Sequence, residues 1–372
     1  MTSSCSAPEP ALPSSDAPRT ERAQGWWAER CATARVTAYL RTLPVPVHRT
    51  SAGYLLGGLS LLFFAVQAMT GVLLLVYYRA DPAAAHASVS HIVNNVPFGW
   101  LVRGVHVAGS HAMIAAVLTH LAFTFATRAF RCPRELTWIT GMLLAGMTLA
   151  LGWSGSVLVW DVRGGVAADV GLQLVAAVPL AGERLAEGMR GGELVGPDTL
   201  RRFWVLHGVA LPAAFITIAL LHLGLVHLHG LAPGHNRPKA VRSASVFPAL
   251  LVRTAVVWTL ALNALVASAA LAPPALGPPA YSLQPTPASV LPAWYFMPVY
   301  QLACILPAPQ PLQPGSLAAC TVMAVTFVVA SVPWWASSLR GRCVASDKVA
   351  TIIAGTIALA AAGLGLWAHL QR

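Results

Sequence analysis

The chain has 372 residues, of which 56% are hydrophobic and only 10% charged, and its mean hydropathy is +0.64. A soluble domain carries about 25% charged residues, so this composition excludes a water-soluble globular protein and points to an all-α integral membrane protein. The formal net charge of +11 could suit a nucleic acid, but the basic residues gather in alternate loops between apolar segments, a membrane-topology pattern that excludes a nucleic-acid partner.

Taken in order, residues 1–20 read as disordered, with no basic region followed by an apolar core to form a cleavable signal peptide. Gly25–Leu43 mixes Trp26, Trp27 and Tyr39 with Arg30, Arg35 and Arg41, a pattern that suits a helix in the cytoplasmic membrane interface or an ordinary tail helix, ended by Pro44 and Pro46. Seven apolar windows follow, at about 52–77, 104–127, 138–158, 204–228, 248–271, 316–337 and 348–369, each long enough to cross a hydrocarbon core that needs ~20 residues. Arg35, Arg41 and Arg49 precede the first window; Arg128, Arg131 and Arg134 follow the second; Arg237, Lys239 and Arg242 follow the fourth; Arg340, Arg342 and Lys348 follow the sixth. The positive-inside rule assigns these loops and the N-terminus to the cytoplasm, and Arg372 to the outside. No acid lies mid-span, which disfavours an ion-coupled transporter. The six cysteines form no CxxC or CxxCH, so neither a zinc site nor a covalent haem attachment is signalled.

The chemistry-bearing pattern lies in the second and fourth windows. His106 and His120 are 14 residues apart, and His207 and His222 are 15 apart. Such steps are about four helical turns, with both imidazoles near one face. Two such helices side by side offer two His/His pairs at two depths, which is what two six-coordinate haems require. One histidine in an apolar helix is more often hydrogen-bonded to a neighbour than a ligand, and His111, outside the pattern, is read as a packing or helix-contact residue; four at matched spacing are a different matter, because ionisable groups in a membrane are costly. Gly57 and Gly71 in the first window, and Gly141 and Gly155 in the third, repeat the 14-residue interval. Glycine costs a helix about 1 kcal/mol relative to alanine, so this repeat is read as room for a macrocycle edge, two glycines per level. Arg103, one turn before His106, is placed either to pair with a haem propionate or to anchor the helix at the interface.

Residues from about Val45 to Gly234 resemble the haem-bearing part of the cytochrome b/b6 family, through LLGG (55–58), QAMTG (67–71), YYR (77–79), FGWLVRGVH (98–106), CPRELTWITG (132–141), GSVLVWD (155–161) and RRFWVLH (201–207). The resemblance is closer to b6, whose interval in the fourth span is also 15 residues. It implies that His106 and His207 hold the haem nearer the outer face and His120 and His222 the one nearer the cytoplasm, both non-covalent b haems, since Leu55 stands where b6 carries a cysteine bonded to an additional haem. It also makes His227 a candidate inner quinone-site residue, the alternative being an interfacial histidine.

From Phe247 onward the chain resembles subunit IV of b6f complexes, fused here to the haem part. LPAWYFMPVYQL (291–302) matches the outer quinol-site motif, with Pro292, Trp294 and Tyr295 as its pocket residues, but Ala293 replaces the acid. Quinol oxidation releases protons, and losing a general base typically costs about 10²–10⁴ in rate. Phe123, Val159 and Ala249 are further departures from the family pattern.

The sequence thus predicts an interfacial N-terminal segment (1–44), a di-haem four-helix domain (45–235) and a three-helix domain with the quinol-site loop (236–372). The expected function is that of the di-haem subunit of a quinol:cytochrome c oxidoreductase in a bacterial-type cytoplasmic membrane. The resemblance implies a Rieske-type iron–sulfur protein and a c-type cytochrome as partners and a homodimeric complex. A divergent electron conduit without quinol oxidation, and a structural subunit, are the alternatives.

Overall fold

A computed structural model describes residues 44–46, 53–230, 243–245, 250–280, 290–306, 315–338 and 363–364. Six helices among these are long and apolar enough to cross a membrane: α1 (Tyr54–Leu75), α3 (Gly99–Ala126), α4 (Glu135–Leu158), the continuous Pro197–His229, α9 (Leu251–Leu271) and α11 (Ser316–Ser338). The expected spans one to six each correspond to one of them. The seventh window, 348–369, and the segment Gly25–Leu43 fall outside the described residues. In lipid an unsatisfied backbone group costs several kcal/mol, which is why continuous helices carry these segments. Their outward faces are apolar, with Met69, Val72, Leu220, Leu260 and Phe327 exposed, so the surrounding medium they fit is lipid.

Shorter helices sit between the spans. α2 (Ala85–Asn94) links α1 to α3, and α5 (Val162–Ala176) and α6 (Gly182–Arg190) fill the loop after α4. The fourth span is α7 (Pro197–Val205), a π-helical turn at Leu206–Ala210 and α8 (Leu211–His229). α10 (Met297–Ile305) precedes α11. Two three-residue strands, β1 (Pro44–Pro46) and β2 (Ser243–Ser245), pair antiparallel, with Val45 opposite Ala244.

Four helices form the bundle. α3 packs against α1 and α4, α4 packs against α8, and the π turn closes onto α1. Its middle is a core of Phe63, Met113, Ala116, Phe215 and Leu265, bordered by Leu144, Met147 and Leu151, with the Phe64 and Phe215 rings stacked at 4.2 Å. Every bundle member of this core falls, along its own helix, between the two histidine or glycine positions. The bundle therefore has a solid centre with a histidine level on either side.

α2, α5 and α7 cap one end over Val157, Trp160, Leu172, Leu200 and Phe203. At that end Trp160 takes a left-handed φ of 52°, turning the chain out of α4, and the Asp161 carboxylate then accepts the Gly164 N–H at 2.8 Å as the N-cap of α5. The segment following α9 is stitched to the same corner. The Val162 N–H donates to the Pro278 carbonyl, the Ala280 N–H to the Trp160 carbonyl, and the His86 imidazole to the Gly277 carbonyl at 2.8 Å. α9 then packs on α3 and α1, and α11 on α4, so the C-terminal helices lean on the bundle from two sides.

Candidate functional site

His106 (α3) and His207 (in the π turn) face one another with ring centres 6.3 Å apart and planes at 81°. Metal–nitrogen bonds of about 2 Å on both sides, with roughly 1 Å from each nitrogen to its ring centre, put two axial imidazoles about 6 Å apart across one iron. The observed gap meets that requirement. His120 and His222 lie within electrostatic reach of one another at the second level.

The π turn explains an irregularity in the spacing. Fifteen residues of pure α-helix would rotate His222 about 100° further from His207 than fourteen would. The π turn absorbs the additional residue: the Leu211 N–H reaches back five residues to the Leu206 carbonyl. Pro212, which has no N–H to offer the carbonyl four residues before it, lies just beyond that turn. His207 and His222 thus return to one face, and the 15-residue step does the work of 14.

Each of the four glycines faces one of the four histidines. A Cβ on Gly71 would lie 3.3 Å from His106 Cε1, on Gly57 3.3 Å from His120 Cε1, on Gly141 3.3 Å from His222 Cε1, and on Gly155 only 2.7 Å from His207 Cε1. The space left by their missing side chains thus lies directly against the imidazoles. Gly71 and Gly155 serve one level, Gly57 and Gly141 the other, as the spacing predicted.

Three hydroxyls, each on the residue just before one of these glycines, fix the rings. Thr70 Oγ1 lies 2.8 Å from His106 Nδ1, Thr140 Oγ1 2.9 Å from His222 Nδ1, and Ser154 Oγ 3.1 Å from His207 Nδ1. Each hydroxyl already donates its hydrogen within its own helix, to the carbonyls of Val66, Leu136 and Ala150, so its oxygen accepts from an imidazole Nδ1–H. This assigns the tautomer that leaves the Nε2 lone pair free for a metal. The fourth position breaks the rule. Leu56 precedes Gly57, and the buried His120 Nδ1 has no hydrogen-bond partner among the described residues. The hydroxyls were missed in the sequence, although Thr-Gly, Thr-Gly and Ser-Gly recur at the three positions.

Arg103 is buried, and its guanidinium donates to the Pro274 carbonyl at 2.7 Å and the Ala275 carbonyl at 3.5 Å. It thereby holds the segment after α9; with five N–H donors it keeps others for an anion. His227 lies exposed in the last turn of α8, near the His222 level.

The loop carrying Pro292, Trp294 and Tyr295 turns just before α10, with the Phe296 N–H bonded to the Ala293 carbonyl at 2.8 Å. Tyr295 reaches into the bundle, its hydroxyl 2.9 Å from where a Gly152 Cβ would sit, and burial pushes its phenol up to about 12. The Trp294 indole N–H donates to His111 Nδ1 at 3.1 Å, and the His111 and Tyr295 rings lie 5.8 Å apart. The ring read from the sequence as a packing or helix-contact residue thus packs against this loop. Its signal was its offset: five residues past His106, it points about 140° away from the haem-facing side.

Residues 40–230 match the family model described as Cytochrome b/b6/petB. The chain is 34% identical over 282 residues to the cytochrome bc complex cytochrome b subunit of Chlorobaculum thiosulfatiphilum, a match spanning 75% of this chain and 66% of that subunit's length. It is 37% identical over 207 residues to cytochrome b6 of Synechococcus elongatus, covering 56% of this chain and 96% of that protein. In fold it is similar to a chain of the hyperthermophilic respiratory Complex III, with a TM-score of 0.74 over 93% of this chain and 98% of that one, at 21% identity. The chain belongs to the cytochrome b/b6 family.

Proposed function

We propose that this membrane protein is the di-haem subunit of a quinol:cytochrome c oxidoreductase-type complex, in which it oxidises quinol on its outer side and passes electrons inward. The observation that carries the haem assignment is the His106–His207 pair, 6.3 Å apart and near perpendicular, with a glycine behind each ring. His106 and His207 hold the outer haem b, and His120 and His222 the inner one, both non-covalently. Thr70, Ser154 and Thr140 keep three of the four Nε2 atoms unprotonated and aimed. Bound there, the haems supply one-electron transfer between the two levels.

Quinol binds in the pocket of Pro292, Trp294 and Tyr295, beside Gly152 and Ile114. Half-buried Tyr295 stays a neutral hydroxyl at physiological pH and serves as a hydrogen-bond partner rather than a base. His227 contributes to an inner quinone site at the other level. The similarity to bc and b6 proteins supports a Rieske-type iron–sulfur protein and a c-type cytochrome as partners in a homodimeric complex. The arginine-rich loops support a cytoplasmic N-terminus and an outer C-terminus in a bacterial-type inner membrane.

Ala293 favours one other reading, an electron conduit whose outer site no longer oxidises quinol, since alanine accepts no proton. The haem assignment is tested by alanine at each histidine, with haem counted in the purified complex. Loss of one haem in every single variant is expected; two haems retained in all four would overturn it.

A further inference from the structure

The pocket lacks an acid at Ala293 but contains a base on the facing helix. His111 lies on α3, five residues inward of His106, with its Nδ1 taking the indole N–H of Trp294 at 3.1 Å and its ring 5.8 Å from that of Tyr295. Since Nδ1 accepts, the ring is the Nε2–H tautomer, and its lone pair points at the loop that forms the quinol pocket. Trp294 is 49% exposed, so its indole can yield that position without unpacking a core. His111 is separated from the haem ligands in direction as well as sequence.

We propose that His111 is the proton acceptor for quinol oxidation in this chain, taking the role that an acid at position 293 would otherwise fill; this rests on the quinol-oxidising reading above. A quinol hydroxyl replaces the Trp294 indole as donor to Nδ1. The quinol O–H bond breaks and an Nδ1–H bond forms. One electron leaves at the same time for the iron–sulfur protein, whose ferric iron becomes ferrous. The products are a neutral quinone radical and an imidazolium, and charge and atoms balance. The Trp294 indole and the Tyr295 phenol flank the site, and Gly152 and Ile114 close it without charge.

The electrostatic surroundings favour a single titrating base. Among the described residues, Tyr295 is the titratable side chain that faces the ring. On the elements packed around α3, Tyr54 of α1, Glu135 of α4 and Arg253 of α9 stand at the far, His120/His222 end of the bundle. On α2, the His86 imidazole is engaged with the Gly277 carbonyl and His91 is exposed at the capped end.

The test is quinol-driven haem reduction in the purified complex, with an inner-site inhibitor present, as a function of pH. In the parent complex the rate rises with pH as the imidazole deprotonates and then levels off. His111→Gln retains an acceptor for the Trp294 indole but takes up no proton. It should keep both dithionite-reducible haems, slow quinol reduction about 10²-fold or more, and abolish that inflection, with kcat affected more than KM. Adding Ala293→Glu to H111Q should recover at least about tenfold of the rate. Parent-like rates and an unchanged pH profile in H111Q, or no recovery in the double variant, would overturn the role of His111 while quinol oxidation stands. A parent complex reduced by dithionite but never by quinol would overturn the quinol reading and this inference with it.

Discussion

Gly155→Ala is the sharpest test of how the bundle is built to hold its imidazoles. The added methyl would sit 2.7 Å from His207 Cε1 and 3.2 Å from its Nε2, whereas ordinary contact begins at 3.4 Å. The ring must therefore retreat by about 0.7 Å, several times the ±0.2 Å that a metal–nitrogen bond tolerates. It cannot retreat freely, because Ser154 holds its Nδ1 and the π turn fixes its backbone. Overpacking of this kind costs about 1–3 kcal/mol, or roughly 5- to 150-fold in affinity for the outer haem. Helix propensity works in the opposite direction by about 1 kcal/mol, so haem loss in a helix made intrinsically better points to the clash. The same change at Gly57, Gly71 or Gly141 leaves 3.3 Å, a shortfall of about 0.1 Å that a side chain can absorb. Haem per chain, measured by dithionite-reduced spectra of the purified variants, should fall toward one in G155A and stay near two in the others. Two haems in G155A, or equal loss in all four variants, would refute the reasoning.

Other consequences follow from the same geometry. Thr70→Val, Thr140→Val and Ser154→Ala each remove an Nδ1–H acceptor, making the ligand less basic; the potential of the affected haem should rise by about 40 mV for a hydrogen bond of about 1 kcal/mol, read by redox titration. Leu56→Thr offers His120 Nδ1 a partner that the described residues do not supply and should lower the inner haem's potential by a similar amount, while an unchanged potential would mean that Nδ1 is satisfied in another way. Asp161→Ala removes the cap of α5 and the 3.3 Å bond to the Gly277 N–H, costing about 1–2 kcal/mol and lowering the melting temperature without altering haem content. Tyr295 has its folded pKa raised to about 12, so its stabilisation is present below its ordinary value near 10 and is lost as pH rises through 12. Burial also raises the Tyr78 phenol, so the check is a difference titration: Tyr295→Phe should lose one late-ionising phenol relative to the parent, and identical titrations would contradict the assignment.

The extent to which this was legible in sequence varied with the physical signal. Six of the spans and the two-level histidine pattern were readable, because apolar length and four costly imidazoles leave few other structures. The 15-residue interval could be read as a spacing but not as a π turn, since a π turn has no signature beyond Pro212 and an irregular step. The glycines were recognised by their period, yet the imidazole that each also makes room for was not, because periodicity gives a face and not a neighbour. The Thr-Gly and Ser-Gly pairs carried the second layer of the site in plain view, but a hydroxyl in a helix ordinarily bonds its own backbone, so nothing local distinguishes one that also holds a distant ring. His111 was set aside because it broke the haem pattern; only the fold brings a loop 183 residues away onto its lone pair.

The central claim is that quinol delivers electrons to two haems held at the His106/His207 and His120/His222 levels. The most direct measurement is a visible difference spectrum of the oxidised, purified complex, first after quinol with an inner-site inhibitor present and then after dithionite. Two b-type haems are expected by dithionite, with reduction already begun by quinol. Two haems reduced by dithionite alone would contradict quinol oxidation at the pocket of Trp294 and Tyr295, and no reducible haem would contradict the assignment of the histidines.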